Sequence, residues 1–272
     1  MANKMVVHCG GELATLEDLD KVEIPEGTAT YHPVGHLALA HMIRTASTEL
    51  LRLPLKQEHY ALSKDGNRMF GMQVYGEDGK CPACKGSGQI HAHFNHAYEP
   101  VDPCPRCEGT GWAAPDFGLG VAFRNSYDKS MSIGVALGFN VFICDNLAIS
   151  GEVNIIRKHT KNAWGDLDQI LVHTLYRKRP QMEADFVRDV DYFREKEVGR
   201  ERGWEFMGLL HGLKILSPTQ LGIAFRAWNS ILDVRASAWE LYNVCTAAMK
   251  STPFNHVMEN HRELHHLIRN NL

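Results

Sequence analysis

Four of the seven cysteines form two Cys-x-x-Cys pairs, Cys81 with Cys84 and Cys104 with Cys107. Thiolates at this spacing are soft donors that suit a tetrahedral zinc ion, each pair offering two sulfurs from one turn. Each pair is followed by x-Gly-x-Gly, with Gly86 and Gly88 after the first and Gly109 and Gly111 after the second. Glycine permits the tight backbone turn such a knuckle needs. The reading is one zinc ion held by Cys81, Cys84, Cys104 and Cys107. A thioredoxin-like role needs a single low-pKa thiol at a helix N-terminus, which two symmetric copies fit poorly. His91, His93 and His96, between the pairs, read as an exposed or phosphate-facing loop. Cys9, Cys144 and Cys245 stand alone, and Cys144 lies in an apolar run as a small buried residue.

A second group of chemistry-bearing residues lies at the ends of apolar runs. Asn125, Ser126, Asp128, Ser130, Asp145 and Asn146 are short polar side chains of the kind that close turns and cap unpaired backbone groups. Beside them stand Arg124, Lys129, Arg157, Lys158, His159 and Lys161. Residues 121–180 carry eight basic against five acidic side chains, whereas the whole chain is at −3. If the strand ends converge, they make a basic edge suited to a phosphate backbone. Lys85 and Arg106, next to the cysteines, would add contacts. The expected partner is then DNA, with a host protein as the alternative.

Two resemblances accompany these residues. The doubled Cys-x-x-Cys-x-Gly-x-Gly from Cys81 to Gly111 resembles half of the cysteine-rich zinc region of DnaJ-type chaperones, and this implies the same four cysteine ligands. No His-Pro-Asp signature of a J-domain occurs, so co-chaperone activity is not implied. Residues 115–175 resemble a phage/plasmid-like family of unknown function, through Asn125-Ser-Tyr-Asp-Lys-Ser130, Cys144-Asp-Asn146 and Arg157-Lys-His-Thr160. That resemblance implies a mobile-element context and no reaction.

Other catalytic patterns are absent or weak. There is no Gly-x-x-x-x-Gly-Lys-Ser/Thr loop, no Gly-x-Ser-x-Gly elbow and no His-Glu-x-x-His helix. Asp128, Asp145, Glu152 and His159 offer the carboxylates a Mg²⁺-dependent nuclease needs, without a spacing that demands it. His256, His261, His265 and His266 read as an exposed, partly basic helix face, although His261 and His265 are one turn apart.

The elements that must position these groups follow from periodicity. A helix is predicted over 34–53, closed by Pro54. Strands over 58–63 and 68–75 flank the turn residues Asp65-Gly66-Asn67. Further strands are predicted over 120–125, 130–137, 139–144 and 152–157. Helical spacing then takes over: a helix capped by Asp166 and ended at Pro180, a long one over 183–213, and one begun by the capping box Ser217-Pro218-Thr219-Gln220. Two more follow, over 236–250 and from Thr252-Pro253 to Ile268. The fold class is α+β, an antiparallel sheet with a zinc-knuckle insertion and a helical C-terminal half. Residues 1–79 and 113–272 form one domain, and 80–112 form the inserted knuckle.

At 272 residues with 44% hydrophobic and 22% charged side chains, the chain excludes disorder and coiled coil. Neither a membrane-length apolar run nor a signal-like N-terminus occurs, so a cytoplasmic product with no membrane partner is expected. The expected function is non-enzymatic DNA binding by a zinc-containing protein of a phage or plasmid. An inhibitor-like protein-interaction module and a metal-dependent nuclease are the alternatives.

Overall fold

The structure is a computed structural model that describes residues 11–76, 79–80, 84–91, 101–104, 109–110, 112–113, 117–141, 146–148, 154–231, 236–252 and 256–272. In chain order the strands are β1 (Glu12–Ala14), β2 (Leu55–Leu62), β3 (Arg68–Tyr75), β4 (Gly79–Lys80), β5 (Gln89–His91), β6 (Val101–Pro103), β7 (Trp112–Ala113), β8 (Phe117–Ser126), β9 (Ile133–Val141), β10 (Asn146–Ala148) and β11 (Asn154–Arg157). Seven form one antiparallel sheet in the order β1-β2-β3-β8-β9-β10, with β11 also paired to β9. The four short strands pair as β4–β7 and β5–β6. They fall in sequence between β3 and β8, which are neighbours in the main sheet.

Local chemistry explains the hairpins. The turn between β2 and β3 is closed by the Asp65 carboxylate, which accepts from the Ser63 hydroxyl and from the backbone and side-chain amides of Asn67. Those bonds hold the Asp65 carboxyl at about 2. Gly66 supplies the positive φ of 71°. Gly138 does not interrupt the next hairpin: β9 runs through it from Ile133 to Val141.

The helices are α1 (Leu16–Lys21), α2 (His36–Leu51), α3 (Ala163–His173), α4 (Arg179–Glu195), α5 (Arg200–Gly212), α6 (Pro218–Ser230), α7 (Ala238–Ala248) and α8 (Val257–Asn271). β3 is buried from Met69 to Tyr75, because both faces of the sheet are covered. On one face Tyr60, Met69, Val121, Phe123 and Val135 share a core with Leu39 and Ile43 of α2 and with the C-terminal helices. On the other, Phe70, Met72, Val74, Ala122 and Ala136 pack with Val257 and Met258 of α8.

Several helix boundaries differ from the periodicity. The stretch expected as one helix over 183–213 is two helices, α4 and α5. Val198 between them is buried, its N–H donates to Ala236 O (2.7 Å), and Ala238 N donates to Lys196 O (2.8 Å). Backbone pairing to the segment before α7 replaces the helical bonds there. α3 starts earlier, with Asn162 at the N-cap position but making no side-chain capping bond, and with Asp166 in its first turn. Pro180 is the second residue of α4 and does not end the helix: a π turn over Thr174–Lys178 joins α3 to α4 without a break. The Ser217 capping box forms as the sequence indicates: Ser217 N donates to Gln220 Oε1 (2.8 Å), and Gln220 N to Ser217 Oγ (3.3 Å). α8 begins at Val257, and Pro253 lies outside the described residues.

The α+β architecture stands, but the zinc-knuckle insertion is corrected. A thiolate zinc site takes four donors, and among the described residues no group of three or more His, Cys, Asp or Glu side chains is placed to hold a metal ion. Cys84 and Cys104 are buried and not in a disulfide. Cys81 and Cys107 lie outside the described residues. The turn at Cys84 is seen as hydrogen bonding instead: Gly88 N donates to Cys84 Sγ (3.2 Å) and Cys104 N to Gly88 O (2.8 Å). Gly86 and Gly88 have φ of 90° and 77°. Zinc as cofactor, and the metal site implied by the DnaJ resemblance, are withdrawn on this finding. Among the described residues no helix is long and apolar enough to cross a membrane.

Candidate functional site

Residues from three separate segments meet at the end of the β8–β9 hairpin. The hairpin turn is Tyr127 to Ser130. Ser126 Oγ closes it, donating to Met131 O (2.8 Å) and accepting from Met131 N (3.1 Å). Asp128 accepts from Ser130 N (2.9 Å) and from Arg68 Nε of β3 (2.7 Å). Burial would raise its carboxyl, but the Ser130 and Arg68 contacts outweigh that and hold it low. Asp128 thus forms the turn that its residue type suggests, and its charge is already paired.

Behind the turn lies a buried polar chain. Asn125 is fully buried; its Nδ2 donates to Val34 O (2.6 Å) and lies 3.0 Å from His36 Nδ1. His36 Nε2 lies 3.1 Å from Gly66 O. Asn125 Oδ1 lies 2.8 Å from His159 Nε2. The Tyr127 ring stacks on His36 with centroids 3.9 Å apart, and its hydroxyl accepts from His36 N (2.9 Å). This bond satisfies a first-turn N–H of α2, whose N-cap Gly35 has no side chain to do so. Tyr31 donates to Tyr127 O (3.0 Å), and burial together with Asp128 raises its hydroxyl. Burial pushes His36 down to about 4, against the pull of the Gly66 carbonyl, and also lowers His159. Both imidazoles are neutral near pH 7.

In front of this chain is a cavity of about 390 Å³ lined by Tyr31, Lys129, Lys158, His159, Met131 and the hydroxyl residues Thr30, Ser130, Ser132 and Thr160. Lys129 has φ of 62°, and its ammonium lies 4.5 Å from the centre of the Tyr31 ring. No carboxylate is among these lining residues.

No family model, curated protein or solved structure matches the chain. The likeness to a phage/plasmid family is therefore overturned as an identification, and the mobile-element context goes with it. The DNA-binding function is corrected as well. Arg124 is buried and makes a two-pronged bond to Glu259 of α8 (2.9 and 2.7 Å), so it does not face a phosphate backbone. His159 is neutral and inside. Arg157 turns to Ile156 O (2.9 Å). Lys161 is exposed in the turn before α3, and Lys85 is exposed at the Cys84 turn. Neither lines the cavity, and Arg106 lies outside the described residues.

The nuclease alternative falls on the same grounds. Asp128 is paired with Arg68, Asp145 and Glu152 lie outside the described residues, and no metal-holding group is found among the described ones. The histidines of α8 are corrected too: His261 and His265 are buried, and His265 Nε2 meets Asp189 (3.0 Å). The structure brings together Asn125, Lys129, Ser130, Lys158 and His159 from the residues singled out by sequence. Reasoning from sequence missed Tyr31, His36 and Tyr127, whose only signal is a polar aromatic cluster beside a helix start.

Proposed function

We propose that this chain binds a small phosphate-bearing anion in the cavity at the β8–β9 turn. The observation that carries the reading is the convergence of Lys129 and Lys158, 29 residues apart in sequence, on one cavity with hydroxyl residues around it and no carboxylate among its described lining residues. Ammonium groups and hydroxyls are the donors that neutralise and orient a phosphate. A volume of about 390 Å³ fits a small molecule. The backbone at Lys129 supports the reading. A non-glycine residue at positive φ costs about 1 kcal/mol, and here that conformation sets the ammonium over Tyr31 at the cavity.

Calorimetric titration of the full chain with inorganic phosphate tests this. Saturable binding is expected, weakened at least about tenfold by Lys129→Gln with Lys158→Gln and unchanged by Lys85→Gln, since each lost charged contact is worth about a factor of ten. Absence of saturable binding, or equal binding by the double variant, refutes the proposal.

A further inference from the structure

The hydrogen-bond chain behind the cavity fixes the direction of every proton in it. Val34 O and Gly66 O can only accept. The atom of Asn125 that meets Val34 O at 2.6 Å is therefore the amide nitrogen, and the atom 2.8 Å from His159 Nε2 is the amide oxygen. An oxygen there accepts, so His159 carries a proton on Nε2. The second Asn125 N–H points at His36 Nδ1 (3.0 Å), which must accept, so His36 carries its proton on Nε2 and donates it to Gly66 O (3.1 Å). No link can be reversed without setting donor against donor or acceptor against acceptor. Since the His159 ring is neutral, its Nδ1 holds a lone pair. That nitrogen takes no part in the chain, while the residue lines the same cavity as the two lysines.

We propose that His159 makes the cavity selective for an oxyanion that still carries a proton, hydrogen phosphate, over one that carries none, sulfate. This rests on the anion-binding reading above and adds the identity of the anion. Both ions accept from Lys129 and Lys158. Only hydrogen phosphate also has an O–H to donate to His159 Nδ1; sulfate sets an oxygen lone pair against the nitrogen lone pair. A buried acceptor left without its donor is the costlier outcome. No bond is made or broken, and the ligand keeps its proton.

The test is calorimetric titration of the full chain at pH 7.5 with phosphate, arsenate and sulfate. Phosphate and arsenate, both protonated at that pH, should bind at least about tenfold more tightly than sulfate. His159→Ala should bring the three within about twofold, and Lys158→Gln should weaken all three alike and keep the ratio. Equal wild-type affinities overturn the selectivity and leave the anion site standing; no binding of any anion overturns both. A ratio that survives in a folded His159→Ala variant also overturns it. Should that variant not fold, nitrogen NMR of the wild type decides. His159 Nδ1 must appear unprotonated and shift with phosphate but not with sulfate; a protonated Nδ1 refutes the proposal.

Discussion

Asn125 and His159 stand 34 residues apart in the chain and 2.8 Å apart in space, and the amide of Asn125 bridges the buried rings of His36 and His159. Replacing it by an apolar residue of like size tests how much the fold depends on it. Asn125→Leu leaves Val34 O, His36 Nδ1 and His159 Nε2 without partners in a site closed to water. With about 1 kcal/mol for each orphaned group, the variant should lose about 3 kcal/mol in urea unfolding. A loss under about 1 kcal/mol would mean that the chain contributes little to stability.

Acid should weaken the fold in a defined window. His36 titrates at about 4 when folded, against 6.5 for the ordinary group. From about pH 6.5 down to 4 the unfolded chain takes up a proton that the native ring refuses, so stability falls there. It levels off below 4, where the native ring protonates too. A shift of this size corresponds to about 3 kcal/mol. His159, lowered by burial, acts in the same direction. Tyr31 beside His159 stays neutral across the window. Asp65 and Asp128 have depressed carboxyls, so their contribution is lost only as pH falls below the ordinary carboxylate range. Urea midpoints at pH 7.5, 6 and 5 should fall steadily in the wild type. They should fall less in His36→Gln, which keeps one donor and one acceptor but does not titrate. A wild-type profile flat from pH 7.5 to 5 contradicts a neutral buried pair.

The pair Arg124 and Glu259 fixes the start of α8 to the sheet. Gly134 stands opposite Arg124 in the ladder, and a Cβ there would lie 3.0 Å from Arg124 Nε, so the small residue leaves room for the guanidinium. Glu259→Gln removes the carboxylate charge that faces the buried guanidinium of Arg124. Because the Glu259 side chain is 31% exposed, the cost should be near the lower end for a buried pair, about 3 kcal/mol. Urea unfolding should show that loss, while phosphate affinity stays within about twofold of wild type, since a site apart from this pair should add independently. A large change in affinity with little change in stability would place Arg124 at the ligand.

What the sequence made legible was what short-range chemistry decides. The Asp65-Gly66-Asn67 turn, the Ser217 box and the strand pair around Asn125 to Ser130 each declare themselves within a few residues. The division into α4 and α5 did not, because it depends on Val198 pairing with Ala236, and neither residue type signals a break. The role of Arg124 was equally hidden: a cation at a strand end looks exposed until Glu259, 135 residues later, is placed beside it. Lys129 and Lys158 were visible as charges. Their convergence on one small cavity, rather than along an extended edge, came from the register of β8, β9 and β11. The cysteine spacing suggested a metal through local pattern alone, and four ligands must meet in space for that pattern to act.

Gly203 offers a test in which two physical effects oppose each other. It lies inside α5, where glycine is about 1 kcal/mol worse than alanine, so on helix propensity Gly203→Ala should stabilise. A Cβ at that position, however, would lie 2.4 Å from Cε2 and Nε1 of Trp228 on α6. The indole has no room to yield. It is 2% exposed, and its Nε1 donates to Arg200 O (3.1 Å). Alanine must therefore push α5 and α6 apart or break that bond, and overpacking of this kind costs about 1 to 3 kcal/mol. The steric cost exceeds the gain in propensity, so a net loss of about 1 kcal/mol is expected, read as a lower midpoint in thermal or urea unfolding. Gly208 on the same helix has open space around its missing Cβ. Gly208→Ala should raise the midpoint, and the opposite signs of the two substitutions would separate the Trp228 contact from the general preference of a helix for alanine.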